Sequence, residues 1–156
     1  MKQPPISAEA VPASKKKSVY PPPFAEQVAG RTKRKLGDFF ALSNFGVNLT
    51  HLAPGAVSAL LHHHSEQDEF IYVLEGTPTL LLDEQAFVMK PGDCYGFKAG
   101  SGVAHQLVNR SAQSVIYLEV GDRSAGDVAE YPDDDLKATL AEGDTWLITH
   151  KDGQPY

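Results

Sequence analysis

His62-His63-His64-Ser65-Glu66-Gln67-Asp68-Glu69-Phe70-Ile71-Tyr72-Val73-Leu74-Glu75-Gly76 is the stretch whose reading decides this chain. Two histidines stand one residue apart, a carboxylate follows five residues after the second, and a glycine lies seven beyond that. In an extended strand successive side chains point to opposite faces. His62 and His64 therefore share a face, about 6.6 Å apart along the strand at about 3.3 Å per residue. That spacing lets two imidazoles converge on one ion, while His63 faces away. Glu69 has the wrong parity for an unbroken strand. The polar run Ser65 to Asp68 reads as a turn, after which a strand from Glu69 to Leu74 is expected to return beside the first and bring Glu69 across from the histidine pair. Asp68 is the rival for the carboxylate position.

A second half of the constellation lies downstream in Gly102-Val103-Ala104-His105-Gln106-Leu107-Val108-Asn109, where a glycine turn delivers another histidine onto an apolar strand. Together the two segments resemble the paired motifs of the cupin superfamily. Gly55, His62, His64, Glu69 and Gly76 match the first motif with one extra residue after Gly55. Gly92, Gly102, His105 and Asn109 match the second, with a longer spacer after Gly92 and with Gly100 where a proline would stand. The resemblance covers about residues 44–121. It implies a double-stranded β-helix (a jelly-roll barrel), metal ligands His62, His64, Glu69 and His105, and pairing into homodimers, as is frequent among small cupins.

Three imidazoles and a carboxylate suit a divalent first-row transition ion; mixed N/O ligation fits Fe, Mn, Ni, Co, Cu or Zn and does not choose among them. Four protein ligands in an octahedral shell leave two positions open for water, substrate or dioxygen. Each ligand histidine is expected to use its second ring nitrogen on a nearby acceptor. The resemblance implies dioxygenases, sugar-phosphate isomerases and decarboxylases as options. A dioxygenase needs an apolar pocket. A phosphosugar isomerase needs Lys or Arg near the metal, and segment 44–121 offers only Lys90, Lys98 and Arg110. The alternative is a non-catalytic cupin that binds or senses a small ligand.

Outside the motifs, Phe45, Val47 and Leu49 alternate with polar or small residues at a period of two. Short runs punctuated by Pro54-Gly55, Glu75-Gly76, Asp83-Glu84, Pro91-Gly92-Asp93 and Arg110–Gln113 give six or more strands, and so an all-β sandwich or barrel. Residues 1–40 read as an extended basic arm and connector, 41–123 as the barrel, and 124–156 as an appendage packing on it. In the appendage, Asp133-Asp134-Asp135, Leu136, Leu140 and Gly143 read as a short capped helix, followed by a strand through Trp146 and Ile148. Phe24 to Gly30 reads as a helical turn. His51 and His150 are expected at the surface or in packing, and Cys94 buried as a small hydrophobe.

Charge is lopsided: residues 1–35 carry eight Lys/Arg against two Asp/Glu, whereas the remainder carries six against eighteen. An acidic body argues against nucleic acid as a partner; Lys15-Lys16-Lys17 and Arg31-Thr32-Lys33-Arg34-Lys35 could touch a phosphate or an acidic partner, but read first as a solvated arm. No apolar run reaches the roughly 18 residues of a membrane span, and the first residues lack a signal core. The single cysteine precludes an internal disulfide, so a cytoplasmic location is expected. A small-molecule ligand or substrate is the expected partner.

Overall fold

Alternating side chains and closely spaced turns produce twelve strands and two four-residue helices among the described residues, which in this computed structural model are 4–15, 18–143 and 145–156. In chain order these are α1 (Phe24–Gln27), β1 (Arg31–Lys35), α2 (Leu36–Phe39), β2 (Phe45–Leu52), β3 (His63–His64), β4 (Glu69–Glu75), β5 (Thr79–Leu82), β6 (Gln85–Val88), β7 (Cys94–Phe97), β8 (His105–Val108), β9 (Val115–Asp122), β10 (Val128–Glu130), β11 (Lys137–Ala141) and β12 (Thr145–Thr149). One antiparallel sheet has the order β1-β2-β9-β4-β7, a second β12-β11-β10-β3 and a third β6-β5-β8. Bridges His62↔His105 and Val57↔Val108 tie the third sheet to the segment that leads into β3. The chain is thus all-β, with a main core between two layers and a second buried cluster beside β10 and β11.

That core lies between the layers. Leu52, Ile71, Val73, Val115 and Tyr117 come from the five-stranded sheet, Leu80 and Leu107 from the sheet opposite, and all are buried. Each fully buried aliphatic side chain of this kind contributes about 1.5–3 kcal/mol. Two motif residues act on the backbone. Gly76 has φ +78°, and a Cβ there would sit 2.6 Å from the Ser114 carbonyl oxygen. Asn109 is fully buried; its Nδ2 donates to the carbonyls of Leu52 and Gln113, and its Oδ1 accepts from Ser111, which closes the turn into β9.

Several expectations are corrected. β4 does not return beside β3: it pairs with β7 and β9, whereas β3 pairs with β10. The polar run between them crosses from one layer to the other. Its polar groups anchor it: Asp127 accepts from the N–H groups of Glu66 and Gln67, and Asp68 from that of Ala99. Among the described residues no C-terminal helix forms; Lys137–Ala141 is β11, hairpinned to β12. Leu136, Ala138 and Leu140 fit a period of two as well as i, i+4, and burial of Leu136 and Ala138 against Leu60, Ala129 and Tyr131 selects the strand.

Arg31–Lys35, read as part of a connector, is a strand paired in register with β2. The arm before it is seated. Val11 and Val28 are buried, the Ser14 N–H donates to the Lys33 carbonyl, and Arg34 donates to Glu9 and to the Val11 carbonyl. Lys16 and Lys17 lie outside the described residues. Cys94 is exposed because it faces outward at the free edge of the five-stranded sheet. His51 pairs with Glu9 at 2.9 Å and His150 with Asp135 at 2.7 Å, both away from the ligand cluster.

Candidate metal centre and cavity

The four sequence-nominated side chains meet at one end of the barrel interior. Glu69 Oε2 lies 2.9 Å from His105 Nε2, 3.5 Å from His64 Nε2 and 3.8 Å from His62 Nε2. His62, Glu69 and His105 offer ligand atoms all within 4.8 Å of one another, and His64 completes the ring from the side of β3. Glu69 reaches this point because it opens β4 in the opposite layer, and His105 because it bridges His62. His63 turns the other way, toward Glu130 at 3.9 Å. Asp68 is spent on the Ala99 N–H.

Each imidazole presents Nε2 to the common point because its other edge is held. His62 Nδ1 contacts the Leu60 carbonyl at 2.7 Å, and its ring lies on Tyr131 with centroids 5.7 Å apart. His64 Nδ1 contacts Asp127 at 2.5 Å. His105 Nδ1 is buried with no hydrogen-bond partner among the described residues, and its ring is oriented by stacking on Phe97 at 3.7 Å. So two of the three histidines use the second nitrogen as expected and the third relies on a ring face.

Electrostatics fit a cation. Burial, offset only in part by Glu69, lowers His62 to about 3 and keeps it neutral with its lone pair available. Burial alone would raise Glu69, but the His105 bond and the surrounding histidines outweigh it and hold the carboxyl well below its usual range. Burial likewise opposes charge on His64, yet Asp127 and Glu69 raise it. An ionised carboxylate among convergent imidazole nitrogens, two of the three rings tied at the far nitrogen, is a donor set that suits a divalent transition metal.

The cluster opens into a cavity of about 1100 Å³. Its far wall is basic and comes from the segment read first as a solvated arm. Arg31 and Lys33 stand on the inward face of β1 and line the cavity, joined by Lys35 and Lys15. Arg31 donates to the Ser58 carbonyl, and Lys33 pairs with Glu119 of β9. Lys98, one of the three cations of segment 44–121, is exposed and does not line this cavity. Tyr20, from the arm, closes another side, its hydroxyl 3.4 Å from that of Tyr131. Segment 31–35 gave no hydrophobic alternation from which to read a strand. Glu119 did leave a signal, since it shares the inward parity of Val115 and Tyr117.

Comparison with known proteins places the chain. The cupin domain family model matches residues 48–121. A sugar phosphate isomerase from a cupin superfamily, of Silicibacter pomeroyi, is 40% identical, with 98% of this chain and 96% of that one aligned and a TM-score of 0.91. The chain belongs to the cupin superfamily. A proposed sugar phosphate isomerase from Acidithiobacillus ferrooxidans is 28% identical over 81% of this cupin and 80% of that chain, with a TM-score of 0.72. A polyketide cyclase from Streptomyces resistomycificus, 23% identical over 78% and 80% of the two chains with a TM-score of 0.63, shares the fold alone. No curated protein matches the sequence. No described helix is long and apolar enough to cross a membrane.

Proposed function

We propose that this cupin is a metal-dependent isomerase of a small phosphorylated sugar. The observation that carries the reading is the strand Arg31-Thr32-Lys33, whose cations face the same cavity as His62, His64, Glu69 and His105. Arg and Lys hold phosphoryl oxygens by charge-assisted hydrogen bonds. None of the three cations of the motif-bearing segment lines the cavity; those that do are supplied by the N-terminal region, set into an otherwise acidic chain. A charged wall also speaks against the apolar pocket expected of a dioxygenase. The likeness to the Silicibacter protein supports the same reading.

His62, His64, Glu69 and His105 would hold the ion; Fe, Mn, Ni and Zn all suit the donor set. Bound there, a divalent ion supplies Lewis acidity toward a carbonyl and its neighbouring hydroxyl. Arg31 and Lys33 bind and orient the phosphoryl end, and Tyr20 and Tyr131 keep water from that side of the cavity.

The test is incubation of metal-reconstituted protein with a panel of aldose phosphates and the corresponding free aldoses, followed by NMR. The expected result is aldose–ketose interconversion of at least one phosphorylated member, about 100-fold faster than its free counterpart. Protein that holds metal and converts no member would overturn the reading in favour of a ligand-binding cupin.

We also infer that the chain pairs with a second copy through the outer face of the five-stranded sheet. Phe70, Tyr72 and Leu74 project outward from β4, each about 40% exposed, and the neighbouring outward positions on β9 are Ile116, Leu118 and Val120. An uncharged face of this kind is self-complementary and costs solvation when bare. Light scattering should give twice the 16.9 kDa chain mass, and Tyr72→Lys should shift it to one. A wild-type monomer at micromolar concentration would contradict this.

A further inference from the structure

An aldose–ketose interconversion moves one proton between adjacent carbons, and the candidate ligands have no spare group to carry it, since Glu69 is directed at the three histidines. Glu119 and Glu26 are the other carboxylates that line the cavity, and of these Glu119 is the one paired with Lys33 on the same sheet face as Glu69. We infer that Glu119 is the catalytic base that carries this proton, and that Lys33 masks it until a phosphoryl group draws the ammonium away. The inference rests on the isomerase reading.

Placement supports the role. In the five-stranded sheet Glu119 is registered between Asn48 of β2 and Ile71 of β4. Glu69 stands two residues before Ile71 on β4, so the Cα atoms of Glu119 and Glu69 are about 8 Å apart from strand spacing and rise. On the other side, Lys33 reaches over from β1, the strand beyond β2. Cation, carboxylate and candidate metal ligand thus follow one another across a single inward face, with β1 and β4 separated by about 14 Å. A phosphoryl group at the first and a carbonyl at the last would place the intervening carbons against Glu119.

Its partners support the masking. Glu119 Oε1 accepts from Lys33 Nζ and, at 2.9 Å, from Asn48 Nδ2, while Oε2 accepts from the Tyr117 hydroxyl at 3.1 Å. The pair is only partly buried, so both partners are open to a ligand that enters the cavity. Asn48 and Tyr117 fix the carboxylate without neutralising it. Lys33 is the flexible partner, and a phosphoryl dianion competes for it with twice the charge of one carboxylate. Removal of the ammonium leaves Glu119 Oε1 with the Asn48 amide as its remaining partner and a lone pair open toward the substrate, so energy from the non-reacting end of the molecule prepares the reacting end.

The step balances without a further reagent. A Glu119 oxygen takes the hydrogen on C2 of the open-chain aldose as a proton. The C2–H electrons become the C1=C2 bond, and the carbonyl π electrons move onto O1. The proton of the C2 hydroxyl passes to O1, the C2–O bond becomes the new carbonyl, and C1 takes the proton back from Glu119. One hydrogen moves from C2 to C1 and one from O2 to O1; nothing is oxidised or reduced overall.

The experiment compares wild type, Glu119→Gln and Lys33→Met, all reconstituted with metal. Three quantities are measured: metal content, affinity for inorganic phosphate by calorimetry, and deuterium uptake at the sugar C–H from D2O with an aldose phosphate that the wild type converts. Glu119→Gln should keep its metal, bind phosphate several-fold more tightly because its competitor for Lys33 is gone, and lose deuterium uptake by about 10²–10⁴-fold. Lys33→Met should keep metal and bind phosphate at least tenfold more weakly. Deuterium uptake in Glu119→Gln within tenfold of wild type would overturn the assignment of the base, and weaker phosphate binding in that variant would overturn the masking. A wild type that holds metal but converts no aldose phosphate removes the isomerase reading itself and this inference with it. Should Glu119→Gln fail to fold, Glu119→Asp carries the same test, with a bare carboxylate set back by one methylene and uptake reduced about tenfold or more; undiminished uptake there overturns the base.

Discussion

Asp127 holds His64 by its Nδ1 at 2.5 Å from a position sixty-three residues further along the chain, beyond the segment that carries the cupin motifs. Burial would raise the Asp127 carboxyl, but the His64 bond and the N–H groups of Glu66 and Gln67 lower it. It is therefore ionised and accepts the Nδ1 hydrogen, leaving the Nε2 lone pair toward the ligand cluster. Asp127→Asn keeps the size and can still accept from the loop N–H groups, but it no longer fixes the tautomer. Metal affinity should fall about 10–100-fold, measured by competition with a chromogenic chelator. Unchanged affinity would mean that Asp127 serves the loop alone.

The ligand set separates cleanly by substitution. His62→Ala, His64→Ala, Glu69→Ala and His105→Ala should each lose most bound metal in elemental analysis while retaining the β-rich circular dichroism spectrum, because the hydrophobic core lies elsewhere between the layers. His63→Ala is the control, since its side chain faces Glu130. Equal metal in the His63, His64 and His105 variants would refute the assignment.

Acid sensitivity of the chelator-treated protein follows from burial at the same place. His62 is lowered to about 3 from 6.5, so between these values the unfolded chain binds a proton that the native state refuses. Stability falls over that window, by at most about 1.4 kcal/mol per pH unit. Glu69 is depressed; its contribution is present above its unfolded value of 4.5 and is lost only as pH drops through its lower folded value. His64 is raised and acts in the opposite sense: its contribution is full below 6.5 and disappears as pH rises through its folded value. Thermal melts from pH 6.5 to 4 should show a falling midpoint in wild type and a flatter profile in His62→Gln. Parallel profiles would exclude His62 as the source.

Two motif glycines should differ in their tolerance of a methyl group. Gly55 and Gly76 both have positive φ, but a Cβ at Gly55 meets nothing within 4 Å, whereas at Gly76 it meets the Ser114 carbonyl at 2.6 Å and Val115 Cγ2 at 2.9 Å. Gly55→Ala should cost about 1–2 kcal/mol for the left-handed backbone alone. Gly76→Ala should cost at least about 2 kcal/mol more, since backbone must move. Urea denaturation midpoints give the comparison, and equal losses would show that the Gly76 turn relaxes freely.

The sequence by itself determined the strand-and-turn architecture and the identity of the four clustered residues. The architecture rests on local rules, the period-two alternation visible in Phe45–Leu49 and the punctuation by glycine and proline; parity puts His62 and His64 on one face, while Glu69 and His105 were named through the resemblance to the cupin motifs. Parity also set His63 apart. What only the tertiary structure decided is which strands become neighbours, because pairing depends on burial between distant segments. That is why β4 lies beside β7 and β9 and not β3, and why Leu136–Leu140, which satisfies two periodicities, became a strand when Leu136 and Ala138 found a buried seat. It is also why Arg31 and Lys33, indistinguishable in sequence from a solvated arm, line the cavity: β2 offered an edge, and pairing to it turned alternate side chains of an all-polar strand inward. Asp127 reaches the site by the same route, since a hydrogen bond across sixty-three residues leaves no local pattern to read, whereas Glu119 shares the inward parity of Val115 and Tyr117 and only its pairing with Lys33 was hidden.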